Sequence, residues 1–294
     1  MPIKEGGISR KVFMVFNYVF LALLMLVCLY PLWLQIIISI SHGLEVMKGG
    51  ITLLPRSITF ETYKTLLRGE LFMYMKNTIV YTVVGTAVNL GMSCLCAYPL
   101  SRKTFSGRKF FTLMVTVTLF FSGGMIPMYL TVKQYNLMDS MWALILPGAI
   151  STYNMIIIRT AFQALPDSLI ESAQLDGAND LIILGRIVIP LTKATLATML
   201  LFYAVSHWNA YFDAMLYINS KEKYPLQIML RNMLIGGLFN EETAIAGANA
   251  EAFAVTDSTL RSATIIVTTL PILIVYPFVQ RYFVKGVMIG SVKG

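Results

Sequence analysis

Pro166-Asp167-Ser168-Leu169-Ile170-Glu171-Ser172-Ala173-Gln174-Leu175-Asp176-Gly177, running on to Ile187-Val188-Ile189-Pro190, is a polar island between long apolar blocks. Local chemistry gives it a shape. Pro166 ends the preceding segment, because its ring fixes φ and removes a donor. Asp167 or Ser168 then offers an N-cap oxygen to the orphan amides of a helix. Leu169, Ile170 and Ala173 fall on one face of that helix. Glu171 is read in its first turn, where a carboxylate suits the helix dipole. Gly177 permits the left-handed turn that closes it. Asp180 starts a second helix, which leads through Arg186 towards Pro190. The stretch therefore reads as a rigid helix–turn–helix held at a membrane face, with Ala173 and Gly177 leaving room for another backbone to approach.

The flanking composition is that of a membrane protein. Of 294 residues, 56% are hydrophobic and only 13% charged, and the mean hydropathy is +0.69. A soluble domain carries about 25% charged residues. The apolar excess comes in blocks long enough to span a bilayer, which takes about 20 residues. They lie at about 12–40, 77–100, 110–132, 141–161, 195–218 and 259–283, giving an expected all-α integral membrane protein with six transmembrane helices. A β-barrel needs alternating strands of about 10 residues, and Phe20-Leu21-Ala22-Leu23-Leu24-Met25-Leu26-Val27 does not alternate. The basic residues Lys4, Arg10 and Lys11 precede the first block, which is too long for a signal-peptide core and reads as a retained span. Cys28, Cys94 and Cys96 lie in apolar spans without metal or redox spacing, and read as small buried hydrophobes.

The net charge is +8. Basic–aromatic patches of the kind that bind single-stranded nucleic acid are missing, so no nucleic-acid partner is expected, and the charge reads as topology. Arg102, Lys103, Arg108 and Lys109 cluster in the second connection. With six spans they share a side with both termini and with Arg159, Arg186 and Lys193, and that side should be the cytoplasm. The first external loop carries Lys48, Arg56, Lys64, Arg68 and Lys76, partly offset by Glu45, Glu61 and Glu70. A short surface helix is expected at Thr59–Leu67. The long external segment at residues 219–258 is of the kind usually functional or disordered.

Spacing adds a second layer. Glu171-Ser172-Ala173, three residues, Gly177, nine residues, then Ile187-Val188-Ile189-Pro190 resembles the EAA loop of membrane subunits of binding-protein-dependent ABC importers. Ser172 replaces an alanine of the family pattern, and Ile189 a leucine. Phe121-Ser122-Gly123-Gly124-Met125-Ile126-Pro127 and Trp142-Ala143-Leu144-Ile145-Leu146-Pro147-Gly148 look like the carbohydrate-uptake branch, for complex oligosaccharides. The ending, Gln280–Gly286 and then Gly290-Ser291-Val292-Lys293-Gly294, resembles MalG-type subunits of maltose transporters. The resemblance implies a type I importer permease fold: a single transmembrane domain over 1–294, a permease core over about 73–283 and a cytoplasmic coupling loop over 163–194.

It further implies a multi-pass protein of the bacterial plasma membrane with cytoplasmic termini, importing a sugar. The implied partners are a second permease subunit, two ATP-binding subunits, an extracytoplasmic solute-binding protein and membrane lipid. Glu171, Ser172, Ala173 and Gly177 would dock on the ATPase, and Gly290, Ser291, Val292, Lys293 and Gly294 would make a tail contact with it; an ordinary frayed end remains open for the tail. No Gly-x-x-x-x-Gly-Lys-Ser/Thr loop occurs. The chain is therefore expected not to be an enzyme and to hold no cofactor, with ATP and Mg bound by the partner.

A polar cluster, His207-Trp208-Asn209-Ala210-Tyr211-Phe212-Asp213, lies about 17–27 Å along the fifth span. Intramembrane polar groups face a bundle interior or a water path. Trp208 and Tyr211 have the faces to stack on sugar rings; His207, Asn209 and Asp213 can hydrogen-bond hydroxyls. Hydrogen bonds between helices serve the same residues equally well. Tyr153 and Asn154 are weaker candidates. Ala87 and Gly91 offer a small-residue helix contact, and Pro271 and Pro277 would kink the last span. Two other classes stay open on residues alone: an ion-driven secondary transporter, for which only Asp213 is a suitable membrane carboxylate, and a non-transporting scaffold.

Overall fold

Backbone hydrogen bonds decide what can cross a bilayer, and the apolar segments described below meet that demand as helices. The structure, a computed structural model, describes residues 8–50, 53–236 and 255–291. Among these, three helices are long and apolar enough to span: α1 (Ile8–Ser39), α4 (Leu71–Ser101), and the stretch Asp257–Pro277. That last stretch opens the helix Asp257–Ser291, and Pro271 and Pro277 lie inside it. Two bent pairs bring the number of candidate spans to as many as five.

The breaks fall inside expected spans. Residues 110–132 form α5 (Arg108–Phe120) and α6 (Met125–Gln134), bent by 115°. The cause is local: Gly124 takes φ 85°, a left-handed value that glycine adopts freely. Residues 141–161 divide into α7 (Met141–Ile145) and α8 (Thr152–Gln163), on either side of Pro147-Gly148. Residues 195–218 divide at Asn209 into α12 (Lys193–Trp208) and α13 (Phe212–Tyr217).

The chain forms two units. One comprises Met1–Gly69 with Asn232–Thr269. In it, α2 (Gly43–Lys48) and α3 (Glu61–Arg68) follow α1, and α3 is the expected short surface helix. Lys48 and Arg56 pair with Glu45 at 2.7 and 3.9 Å, and Lys64 with Glu61 at 2.6 Å. Much of the positive charge that blurred the topology is thus neutralised locally. Every side chain from Arg10 to Trp33 is exposed, Cys28 among them, contrary to the expectation that the cysteines are buried. A helix apolar on all sides takes that state only where lipid or another chain covers it.

The second unit comprises Glu70–Arg231 with Leu270–Gly294. Its core joins α4 (Cys94, Ala97, Tyr98, Leu100), α8 (Met155, Ile158, Phe162) and α12 (Leu196, Met199). At the opposite end of α4, Asp139 is the fastening point. It takes φ 56° and accepts hydrogen bonds from the Asn219 and Ser220 amides at 3.0 and 2.9 Å, the Ser220 hydroxyl at 2.6 Å and Lys223 Nζ at 2.6 Å. Lys223 first, then Ser220, holds the Asp139 carboxyl well below the usual carboxylate range. Asn77 and Tyr81 of α4 donate to the Glu222 and Lys223 carbonyls of the same segment at 2.7 and 2.8 Å.

Candidate functional site

The polar island folds as helix, turn, helix. Helix α9 (Asp167–Leu175) starts one residue earlier than the expected Asp167 or Ser168 cap: its N-cap is Pro166, whose ring has no acceptor, so no side chain caps it. Lys103 donates to the Asp167 carboxylate at 2.8 Å and Arg102 lies 3.9 Å away. Lys103 above all, with Arg102 behind it, holds the Asp167 carboxyl below its ordinary range. Asp167 fills the first turn, so Glu171 sits one turn later than expected. Gly177 takes φ 78°, with open space where a Cβ would point. Asn179 then caps α10 (Asp180–Ile183), its side chain accepting from the Ile182 amide at 2.9 Å. A π-helical turn (Leu184–Val188) and α11 (Ile189–Leu191) complete the arm, which meets α12 at 88°.

The two faces of this arm differ. Ile170, Ala173, Ile183, Leu184 and Val188 are sunk into the core shared with α4, α8 and α12. Leu169, expected beside Ile170 and Ala173, is exposed instead, because it lies 100° round the helix from Ile170. Glu171, Ser172, Gln174 and Leu175 are exposed, and Leu175 is 90% so. Of the four docking candidates, then, Glu171, Ser172 and Gly177 face out, and Ala173 packs inward. Leu175 was missed by sequence reading, though an apolar residue beyond the inward stripe of an amphipathic turn was its signal.

The fifth-span cluster is placed differently. His207 Nε2 lies 2.7 Å from Asn89 Oδ1, and Asn89 Nδ2 donates to the Gly148 carbonyl at 2.5 Å. Since Oδ1 only accepts, Nε2 carries the proton. The His207 ring lies on Gly85, where a Cβ would come within 2.5 Å of Nε2. One turn along from the His207–Asn89 pair, the Ser93 and Tyr203 hydroxyls bond at 2.6 Å. These contacts make a polar seam between α4 and α12. The small-residue contact is Gly85, not Ala87 or Gly91; both of those are exposed, and Gly91 meets nothing within 4 Å. Asn209 Nδ2 bonds back to the Val205 carbonyl at 2.9 Å. Tyr211 and Asp213 are exposed, as is Tyr153, while Asn154 is buried.

Trp208 is buried and lines a cleft of about 600 Å³ with Thr82, Phe202, Ser206, Pro271 and Tyr276. Its walls are mostly apolar. Of the tail residues, Gly290 and Ser291 fall in the helix Asp257–Ser291, and Val292, Lys293 and Gly294 lie outside the described residues.

No protein-family model matches the chain. The polygalacturonan/rhamnogalacturonan transport system permease protein YtcP of Bacillus subtilis (strain 168) is 39% identical over 289 residues, which cover 97% of this chain and 100% of that one. A solved bacterial ABC transporter involved in the import of the acidic polysaccharide alginate contains a chain that superposes with a TM-score of 0.90 at 36% identity, over 96% of this chain and 100% of its own. A second chain, from a bacterial alginate ABC transporter in complex with an alginate pentasaccharide-bound periplasmic protein, gives a TM-score of 0.59 at 15% identity, over 92% and 93%; it shares the fold. With the helix–turn–helix arm, its inward apolar face and these full-length likenesses in place, the chain belongs to the permease proteins of bacterial ABC transporters that take up oligo- and polysaccharides.

Proposed function

We propose that this permease forms one half of a six-span-per-subunit translocation path and couples it to ATP hydrolysis on a separate subunit through the segment 163–194. One observation carries the reading. A single short helix, α9, is anchored in the transmembrane core by Ile170 and Ala173 and turns Glu171, Ser172 and Leu175 outward. A partner that grips the outer face moves α4, α8 and α12 with it. Glu171, Ser172 and Leu175 make the contact, Gly177 sets the turn, and Ala173 transmits the load. The tail from Gly290 to Gly294 makes a second contact with the same ATPase.

The full assembly has a second permease, two ATPase subunits and a solute-binding protein. The bare face of α1 supports the second permease. Both chain ends and the Arg102–Lys109 cluster lie in the cytoplasm. The chain itself catalyses nothing. Its cargo is an oligosaccharide; polygalacturonan/rhamnogalacturonan is named for YtcP and the acidic polysaccharide alginate for the solved importer, which favours an acidic one. Trp208, which lines the cleft, and the exposed Tyr211 and Asp213 remain candidates for the path; His207 bonds to Asn89 and Asn209 to the Val205 carbonyl.

The test is a Glu171→Arg, Leu175→Asp double variant in the co-expressed complex. Both side chains are exposed, so the chain should fold and reach the membrane at wild-type levels. Co-purification of the ATPase and sugar-stimulated ATP hydrolysis should both be lost. Normal co-purification with normal transport would remove α9 as the docking element.

A further inference from the structure

A second cavity, of about 450 Å³, opens where α4 ends, between its last turns (Leu95, Tyr98), the connection that follows (Arg102, Phe105) and the start of the arm (Asp180, Leu181). Its chemistry is divided. Arg102 is the cation, with its side chain only 17% exposed. The guanidinium stands 6.0 Å from the centre of the Tyr98 ring and makes no side-chain hydrogen bond among the described residues. Its nearest carboxylate, Asp167, is 3.9 Å away and already bound by Lys103. A half-buried guanidinium with five donors and no close acceptor is an unfilled anion site. Asp180 lines the same cavity, accepts from the Tyr98 hydroxyl at 3.0 Å, and has a second carboxylate oxygen to offer a donor. Part of the lining is apolar and open: Leu95 is 52% and Leu181 69% exposed.

We propose that this cavity holds the headgroup of a membrane glycerophospholipid. Its phosphate is held by Arg102, the hydroxyl or ammonium of its headgroup donates to Asp180, and its acyl chain lies along Leu95 and Leu181. Three features select a lipid over a free anion. Exposed leucines line the cavity, a carboxylate shares it with the cation, and it sits where a membrane helix leaves its apolar segment. Lys103, Arg108 and Lys109 add the local positive charge that gathers anionic lipid at an inner leaflet. The inference rests on the proposed position of this connection at the inner membrane face. Because the cavity is walled by both α4 and the arm, its lipid bridges the span and the segment proposed to receive the ATPase.

The whole complex, reconstituted in phosphatidylcholine nanodiscs doped with phosphatidylglycerol carrying a photoreactive acyl chain, tests it. Label should map to the peptides holding Leu95 and Leu181. Arg102→Gln should cut labelling about tenfold, the equivalent of one charge-assisted hydrogen bond. Lys133→Gln, an exposed position outside both the cavity and the Arg102–Lys109 cluster, should stay within about twofold. Leu181→Asp, an exposed position that leaves the core intact, should cut labelling as well, so the outcome does not hang on one variant. Equal labelling of Arg102→Gln and wild type, or displacement of the label by inorganic phosphate alone, would overturn the lipid site. So would labelling seen only after the ATPase is stripped off, which would give the cavity to a protein side chain. ATPase co-purification is read on the same samples, so loss of docking with retained labelling would count against the coupling reading alone.

Discussion

Two polar patches interrupt this apolar chain, and they have opposite fates. Along α4 and α12, Asn89, Ser93, Tyr203 and His207 point at one another and satisfy their hydrogen bonds inside the bundle. On α9, Glu171, Ser172 and Gln174 point at solvent, and only the apolar side of the helix is held. A polar group that closes on a neighbouring helix is part of the scaffold. A polar face left open on a helix whose other face is firmly packed is available for a partner. Polarity in a greasy sequence does not by itself distinguish the two; the direction of each side chain does.

The sharpest way to break this contrast is to attack the packed side of α9. Ile170→Ala should cost about 2–5 kcal/mol, because the site lies in a tight core that cannot collapse around the gap. Leu175→Asp, five residues on, should change stability by less than about 0.5 kcal/mol. Thermal denaturation of the two purified variants reads the difference, and equal losses would end the two-face description of α9. Next in size is the seam. Asn89→Ala strands both the His207 N–H and the Gly148 carbonyl, and should cost about 1–3 kcal/mol without altering ATPase affinity. A variant that melts like wild type yet no longer transports would move Asn89 and His207 from scaffold to substrate path.

The smallest effect is on pH. The Asp167 carboxyl is held below its usual range, chiefly by Lys103. A depressed carboxyl contributes stability above its unfolded pKa and loses it as pH falls through the folded value. The tie between Asp167 and Lys103 should therefore be intact at pH 7 and fail only below about pH 4. Hydrogen exchange at the first turn of α9 should rise there in wild type and show no such step in Asp167→Asn. A step near neutral pH would assign the transition to another group.

Much of the arm was legible in its sequence, because its signals are local. Pro166 and Gly177 act through their own backbone, and the structure has Pro166 directly before α9 and Gly177 in the turn after it. The full extent of the spans was not. A hydropathy window averages over breaks of a few residues, so 110–132 reads as one apolar block although Gly123-Gly124 turns it by 115°. Gly-Gly, Pro147-Gly148 and Asn209 were the available punctuation. The seam was half legible: His207 declared itself as polar, but its partners Gly85 and Asn89 depend on which face of α4 meets α12, a long-range fact. Arg102 and Asp180 are 78 positions apart by their numbering, and only the fold brings them to one cavity.

The arm's inward side chains also bear on how such proteins are rebuilt. Ile170, Ala173, Ile183, Leu184 and Val188 interlock with α4, α8 and α12, so the segment 163–194 is no interchangeable plug. Transplanting it alone into a related permease sets five shapes against a foreign mould. A chimera meant to answer to a different ATPase should keep those five residues from the recipient and exchange only the outward ones, around Glu171, Ser172 and Leu175.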